Sequence, residues 1–125
     1  MRAWMLPAGS DGFDKLGLKD LPDPAPGPGE VLIAPKAWSL NYRDMAVASG
    51  HYFGGALKAD AIPLSDGAGE VVAVGAGVTR FKAGDRVAGA FFQNWQDGPA
   101  HPHTGPALGD GMGPGMLAEL VVLPE

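Results

Sequence analysis

The stretch from Pro63 to Gly89, PLSDGAGEVVAVGAGVTRFKAGDRVAG, constrains the fold of this chain more than any other part of the sequence. Its centre, Glu70 to Val74, is apolar and β-branched, which predicts a strand buried on both faces. The turn Gly75-Ala76-Gly77 ends that strand, and Ala83-Gly84-Asp85 leads the chain into a second strand, Arg86 to Gly89. Short strands joined by tight glycine turns are therefore expected.

The composition favours one turn-rich β domain. The chain has 125 residues, of which 46% are apolar, and its 20 glycines and 12 prolines are scattered between short apolar runs. A net charge of −5 without a Lys/Arg cluster argues against a nucleic-acid groove. No apolar run approaches the roughly 18 residues of a membrane span. The sequence shows no signal peptide and no cysteine, so a cytoplasmic protein without disulfides is expected.

Four further segments have the composition of strands: Arg2–Pro7, Phe13–Leu21, Val31–Leu40 and Met116–Leu123. Pro35 predicts a bulge or an edge position, because proline cannot donate to a ladder. Phe81 is expected to return to the core. Residues 54–62 are predicted to form a loop, and Gln93–Gly115, rich in glycine and proline, a long surface excursion.

One helix is predicted, from about Tyr42 to Ser49. Asn41 is a favourable N-cap, Asp44 occupies the capping-box position, and Gly50 suits the C-terminal cap. The helical spacing of Tyr42, Met45, Ala46 and Ser49 predicts that this narrow face packs on the β-barrel.

Two glycine pairs and one histidine pair resemble binding motifs. Gly67-Ala68-Gly69 and Gly75-Ala76-Gly77 begin like dinucleotide loops, but neither opens a helix, so both are interpreted as turns. His101-Pro102-His103, with Asp97 or Asp110, has metal-binding side chains. The intervening proline and the many glycines favour a solvated surface loop instead.

The glycine and valine order of Pro63–Gly89, with its Gly84-Asp85-Arg86-Val87 turn, closely resembles the signature of the medium-chain dehydrogenase/reductase superfamily. That superfamily includes zinc alcohol dehydrogenases, quinone oxidoreductases and enoyl reductases. The segments Pro26–Ile33, Ser39–Asp44, Gly50-His51-Tyr52 and Gly115–Pro124 extend the resemblance. It implies a mostly β, GroES-like barrel with one or two short helices over residues 1–125, without the C-terminal Rossmann domain.

The resemblance also implies that both family zincs are absent. Residue by residue, Asn41 stands at the position of the catalytic zinc cysteine, and Ser65-Asp66 stands where the histidine–glutamate ligand pair lies. The segment from Gln93 to Gly115 contains none of the four cysteines that hold the structural zinc. A single carboxylate, Asp66, cannot build a tetrahedral zinc site.

Without a Lewis acid, reduction of a carbonyl or enone needs another group to donate a proton or stabilise an oxyanion. Tyr52 lies eleven residues after Asn41, which matches a tyrosine that acts as proton donor or orienting group in zinc-free enoyl reductases. The resemblance implies that Tyr52 and Asn41 are catalytic and that Asn41, Tyr42, Arg43 and Tyr52 contact the nicotinamide cofactor. The alternatives are a packing role for Tyr52 and a simple helix cap for Asn41.

The implied parent is a zinc-independent, NAD(P)H-dependent reductase of a carbonyl, quinone or enone. Its small-molecule substrate would bind between this domain and a dinucleotide-binding domain beyond residue 125, so the 125 residues alone are expected to be inactive. No nucleic-acid or membrane partner is expected, and a homo-oligomer is possible. Two alternatives stay open: a stand-alone GroES-like scaffold module and a non-catalytic paralogue.

Overall fold

The computed structural model describes residues 1–101 and 104–125, and it is mostly β with one α-helix, as predicted. The elements in chain order are β1 (Arg2–Met5), a 3₁₀ turn (Phe13–Lys15), β2 (Gly17–Asp20), β3 (Glu30–Ser39), α1 (Tyr42–Ala48), β4 (Asp66–Val74), β5 (Arg86–Ala88) and β6 (Val121–Pro124).

A four-stranded antiparallel sheet with the order β5-β4-β3-β6 forms the body of the domain. Strand β3 lies at its centre and pairs with β4 from Val31 opposite Val74 to Ser39 opposite Asp66. The register slips between Pro35 and Ala37, which confirms the predicted bulge at Pro35. A bulge suits this position because proline has no N–H to donate.

The strands β1 and β2 form a separate antiparallel pair. A bridge between Ala3 and Ala118 joins this pair to the segment that leads into β6. The prediction of one strand over Phe13–Leu21 is wrong for its first half, because Phe13–Lys15 forms a 3₁₀ turn. Leu16 alone lies between the turn and β2; its N–H donates to the carbonyl of Phe13 and its backbone is extended, so the chain leaves the turn there.

Strand β4 is buried on one face only, so the prediction of burial on both faces is wrong. Val71 is 0% exposed, whereas Val72 and Val74 are 45% and 41% exposed. Alternation is what an antiparallel sheet with one covered face produces. The glycines of β4 permit close approach of the backbone: a Cβ on Gly69 would lie 2.2 Å from the carbonyl oxygen of Ala34.

The main core lies between the inner face of the sheet and the segment that follows β5. Its buried members are Ala3, Val31, Ile33, Val71, Leu108, Met116, Ala118, Val121 and Leu123, and Phe81 packs against them as predicted. The prediction that Gln93–Gly115 is only a surface excursion is therefore wrong at Leu108, which is 0% exposed. The predicted strand over Met116–Leu123 is also too long, because ladder pairing begins only at Val121.

The helix α1 confirms the predicted bounds and N-cap, but the predicted packing face is wrong. Its buried residues are Asp44, Val47 and Ala48, and Val47 and Ala48 pack with Leu6 and Leu57 in a second, smaller core cluster. Tyr42 and Met45 are 81% and 52% exposed. The helical period was right, but Asp44 faces inward because its carboxylate caps the helix instead of being solvated.

No helix in the described part of the chain is long and apolar enough to cross a lipid bilayer.

Candidate active site

Asn41 connects the start of α1 to the start of β4. Its backbone is extended, with φ −124° and ψ 156°, and its N–H donates to the Asp44 carboxylate over 2.8 Å. Its side-chain Nδ2 donates to Oδ2 of Asp66 over 2.6 Å. A charge-assisted hydrogen bond of this kind is roughly twice as strong as one between neutral groups. Asn41 is therefore both the helix cap and a part of a polar network beneath the helix.

Asp44 is a buried acid at the centre of this network. Its side chain is 2% exposed, and burial raises its pKa above the ordinary value of 3.8. Hydrogen bonds from the backbone N–H groups of Asn41 and Ser65, together with the nearby Arg43 cation, lower that pKa in part. The Oγ of Ser65 is buried without a hydrogen-bond partner among the described residues.

Arg43 turns inward from α1 and contacts residues from two other segments. Its Nη1 donates to the carbonyl oxygen of Leu108 over 2.7 Å, and its Nε donates to the hydroxyl of Tyr52 over 3.3 Å. The guanidinium carbon lies 4.7 Å from the ring centroids of both Tyr52 and Phe91. Only 12% of the Arg43 side chain is exposed. The cation thus contacts two aromatic rings.

Tyr52 and Tyr42 have different surroundings, although both lie beside the same open cleft. Tyr52 packs against the second core cluster and directs its hydroxyl at Arg43. The ring of Tyr42 stands in solvent. The cleft has a volume of about 390 Å³, and it is lined by Tyr42, Met45, Ala46, Ser49, His51, Tyr52 and Phe53.

Of the four predicted site residues, the structure places Arg43 and Tyr52 in direct contact, whereas the Asn41 side chain bonds to Asp66. Asn41 and Arg43 lie at the start of α1, and Tyr52 is joined to Arg43 directly. Tyr42 is beside the cleft but makes no part of the network. The sequence interpretation missed Phe91 and the Leu108 carbonyl. The adjacent aromatics after β5 were a usable signal for Phe91, whereas a backbone carbonyl leaves no signal in the sequence.

The three positions compared with zinc ligands do come together in the fold, but their chemistry differs from that of a zinc site. They supply an amide, a hydroxyl and one carboxylate, and the amide and carboxylate bond to each other. In the described residues there is no cluster of three or more His, Cys, Asp or Glu side chains. Of the histidine motif, Pro102 and His103 lie outside the described residues.

An antiparallel sheet with one capped helix, and a polar network at the start of that helix, are the features by which this small, mostly β domain can be compared with known folds. Residues 27–125 match the alcohol dehydrogenase GroES-like domain family. The chain belongs to that family, and so to the N-terminal domain of the medium-chain dehydrogenase/reductase superfamily.

Individual relatives agree with this assignment. The chain is 43% identical, over 90% of its length, to a zinc-type alcohol dehydrogenase-like protein of Schizosaccharomyces pombe, of which it covers 33%. It is 45% identical, over 62% of its length, to a quinone oxidoreductase of Pseudomonas aeruginosa, of which it covers 23%. Among solved structures, an NAD-dependent alcohol dehydrogenase superposes on 100% of the chain with a TM-score of 0.79 and 33% identity, and 38% of that protein is covered. The chain spans about a third or less of the curated relatives it matches.

Proposed function

We propose that residues 1–125 form the N-terminal catalytic domain of a two-domain, zinc-independent, NAD(P)H-dependent oxidoreductase that reduces a carbonyl, quinone or enone. The observation that carries the proposal is Tyr52, which lines an open cleft and is hydrogen-bonded to Arg43, with Asn41 bonded to Asp66 at the start of the same helix. The family membership supports the reaction class. The substrate class rests on the chemistry of these side chains.

Zinc does not fit the residues at this site. Structural and catalytic zinc sites are built from thiolates, imidazoles and carboxylates, and here the donors are the Asn41 amide, the Ser65 hydroxyl and the Asp66 carboxylate. The Asn41–Asp66 hydrogen bond occupies the carboxylate oxygen nearest to the amide. The description zinc-type belongs to the yeast relative, and we do not extend it to this chain.

We expect the cleft to receive a nicotinamide ring. Three aromatic side chains line it, Tyr42, Tyr52 and Phe53, and aromatic faces accept flat rings. The bound cofactor would supply a hydride to the substrate. Among the described residues no strand leads through a glycine loop into a helix, so we expect the pyrophosphate to be held by residues outside this chain. The 125 residues by themselves should then be inactive.

In this scheme the chain's own residues hold the substrate oxygen and manage the proton. Tyr52 donates a hydrogen bond or a proton to the oxygen on which negative charge develops during reduction. Asn41 orients the nicotinamide or the substrate through its amide, while Asp66 fixes the rotamer of that amide. Exclusion of water from the cleft requires the second domain.

Tyr52→Phe in the two-domain parent protein tests the proposal. The change removes one hydroxyl from a ring whose packing with Val47 and Leu57 is retained. If that hydroxyl donates a proton, kcat should fall by about 10²-fold or more. Thr79→Val is the matched control, since it deletes a hydroxyl from the exposed turn between β4 and β5 and should leave kcat unchanged. A kcat for Tyr52→Phe equal to that of the parent, with intact cofactor binding, would assign Tyr52 to packing alone.

A further inference from the structure

Arg43 is an unusual residue to find buried, because a neutral side chain would pack the same space without desolvating a charge. Its nearest carboxylate oxygen, on Asp44, is 4.0 Å from Nη1, too far for a hydrogen bond. Its Nη2 is buried without a hydrogen-bond partner in the described part of the chain. The cation is therefore hydrogen-bonded only by one carbonyl and one hydroxyl among the described residues, with the Asp44 carboxylate at ion-pair distance and two aromatic rings beside it.

The contacts of Arg43 converge on one side chain, Tyr52. One ring face of Tyr52 stacks on the guanidinium, and the hydroxyl of the same ring accepts a hydrogen bond from Nε. A planar guanidinium makes both contacts at once, which the point charge of a lysine does not. Together the two contacts restrict the ring plane and the position of the hydroxyl.

The other side of the guanidinium is anchored to the segment after β5. The Phe91 ring centroid lies 4.7 Å from the guanidinium carbon, and Leu108 accepts from Nη1 over 2.7 Å. Leu108 is itself fully buried in the main core. Arg43 therefore connects the Tyr52 hydroxyl to the main core, although Arg43 itself has no role in the proposed reaction.

We propose that Arg43 is a positioning residue for Tyr52, which it holds by stacking and by its Nε hydrogen bond while Phe91 and the Leu108 carbonyl hold Arg43 in place. The catalytic consequence rests on the proposed function, but the positioning itself does not. An Arg43 that faces inward also differs from the sequence expectation of a cofactor contact, since its Nε and Nη1 already donate to groups within the chain.

Fluorine NMR of the chain labelled with 3-fluorotyrosine tests the positioning without any assay of activity. The chain has two tyrosines, and Tyr42→Phe assigns the two resonances. Arg43→Met keeps the length and apolar stem of the side chain but removes its charge and donors. The Tyr52 resonance should move toward that of the solvent-exposed Tyr42 and narrow, because the ring is released. An unchanged Tyr52 resonance in a folded Arg43→Met chain overturns the proposal.

Two further variants serve as a control and as a replacement in this test. Arg80→Met is the matched control, because Arg80 also lies over an aromatic ring, Phe81, at 5.2 Å, but is exposed; it should leave the Tyr52 resonance in place. If Arg43→Met fails to fold, Arg43→Lys replaces it. Lysine can reach the Leu108 carbonyl but cannot also stack and bond to Tyr52, so the Tyr52 resonance should again move, and an unmoved resonance again refutes the proposal.

A kinetic cycle in the two-domain parent protein separates positioning from general structural support. Arg43→Met should lower kcat by about the same factor as Tyr52→Phe, with little change in KM. The double variant should then be no slower than either single variant, because both remove one function. Losses that multiply in the double variant would show that Arg43 acts independently of Tyr52. If Tyr52→Phe leaves kcat unchanged while the NMR shift is seen, the proposed function fails and the positioning stands.

Discussion

Leu108 offers the sharpest test of how this domain is held together, because it is a core residue within a segment whose composition predicts a surface loop. Its side chain is 0% exposed and belongs to the main core cluster. A Cβ added to Gly89 would come within 2.8 Å of Leu108 Cδ1, so the leucine fills the space that the glycine leaves at the end of β5. Leu108→Ala would empty that space and leave the Leu108 carbonyl, which accepts from Arg43, unaltered.

The expected loss follows from the complete burial of the leucine. Leucine-to-alanine substitutions in cores destabilise by about 2–5 kcal/mol, depending on how far the site collapses. A loss of about 3 kcal/mol, at a urea slope of about 2 kcal/mol/M, lowers the unfolding midpoint by roughly 1.5 M. Met112→Ala in the same segment is the control, since Met112 is 75% exposed; its change should stay within about 0.5 kcal/mol.

Gly89→Ala adds a second arm to the experiment. In the parent chain the new methyl group meets Leu108, Met116 and Leu123 and should destabilise by about 1–3 kcal/mol. In the Leu108→Ala background the same methyl group enters the empty space, so it should be neutral or stabilising. If the two losses add within about 0.5 kcal/mol, the two side chains are not coupled. A midpoint shift for Leu108→Ala as small as that of Met112→Ala would refute the core assignment.

Three other outcomes are expected. Gly75→Ala should abolish folding, judged by circular dichroism and NMR dispersion, because its Cβ would lie 1.7 Å from the Gly27 carbonyl oxygen; a folded variant would contradict the close approach. Burial raises the pKa of Asp44, so the folded state binds this proton more tightly than the unfolded state. Stability should then fall as pH rises above 3.8 through the raised pKa, and Asp44→Asn should flatten that fall in urea midpoints; an unchanged slope would count against it. Elemental analysis of chain purified without a histidine tag should find well below one zinc per chain, and stoichiometric, chelator-resistant zinc would contradict the donor-set argument.

Local features of the fold were predictable where the chain itself supplies the chemistry. Proline lacks an N–H, so the bulge at Pro35 follows from one residue. Asn41 and Asp44 form their contact across three residues, and the start of α1 follows from that contact. The short strands of a mostly β domain were likewise readable from the spacing of glycines and β-branched residues.

The orientation of side chains was not predictable, because it depends on what lies across the fold. Helical spacing identified a face of α1, but the buried face includes the acid Asp44 and leaves Tyr42 in solvent. An apolar run suggested a strand covered on both faces, yet Val72 and Val74 have no cover in the described residues.

The candidate site divides in the same way. The sequence identifies Asn41, Arg43 and Tyr52 as candidate site residues, because their positions resemble those of the family. That Arg43 faces inward to stack on Phe91 and bond to the Leu108 carbonyl was decided only by the tertiary structure. These partners lie 48 and 65 residues away from Arg43 in the chain. No local sequence pattern covers such a separation. The residues meet only because the segment after β5 packs onto the core.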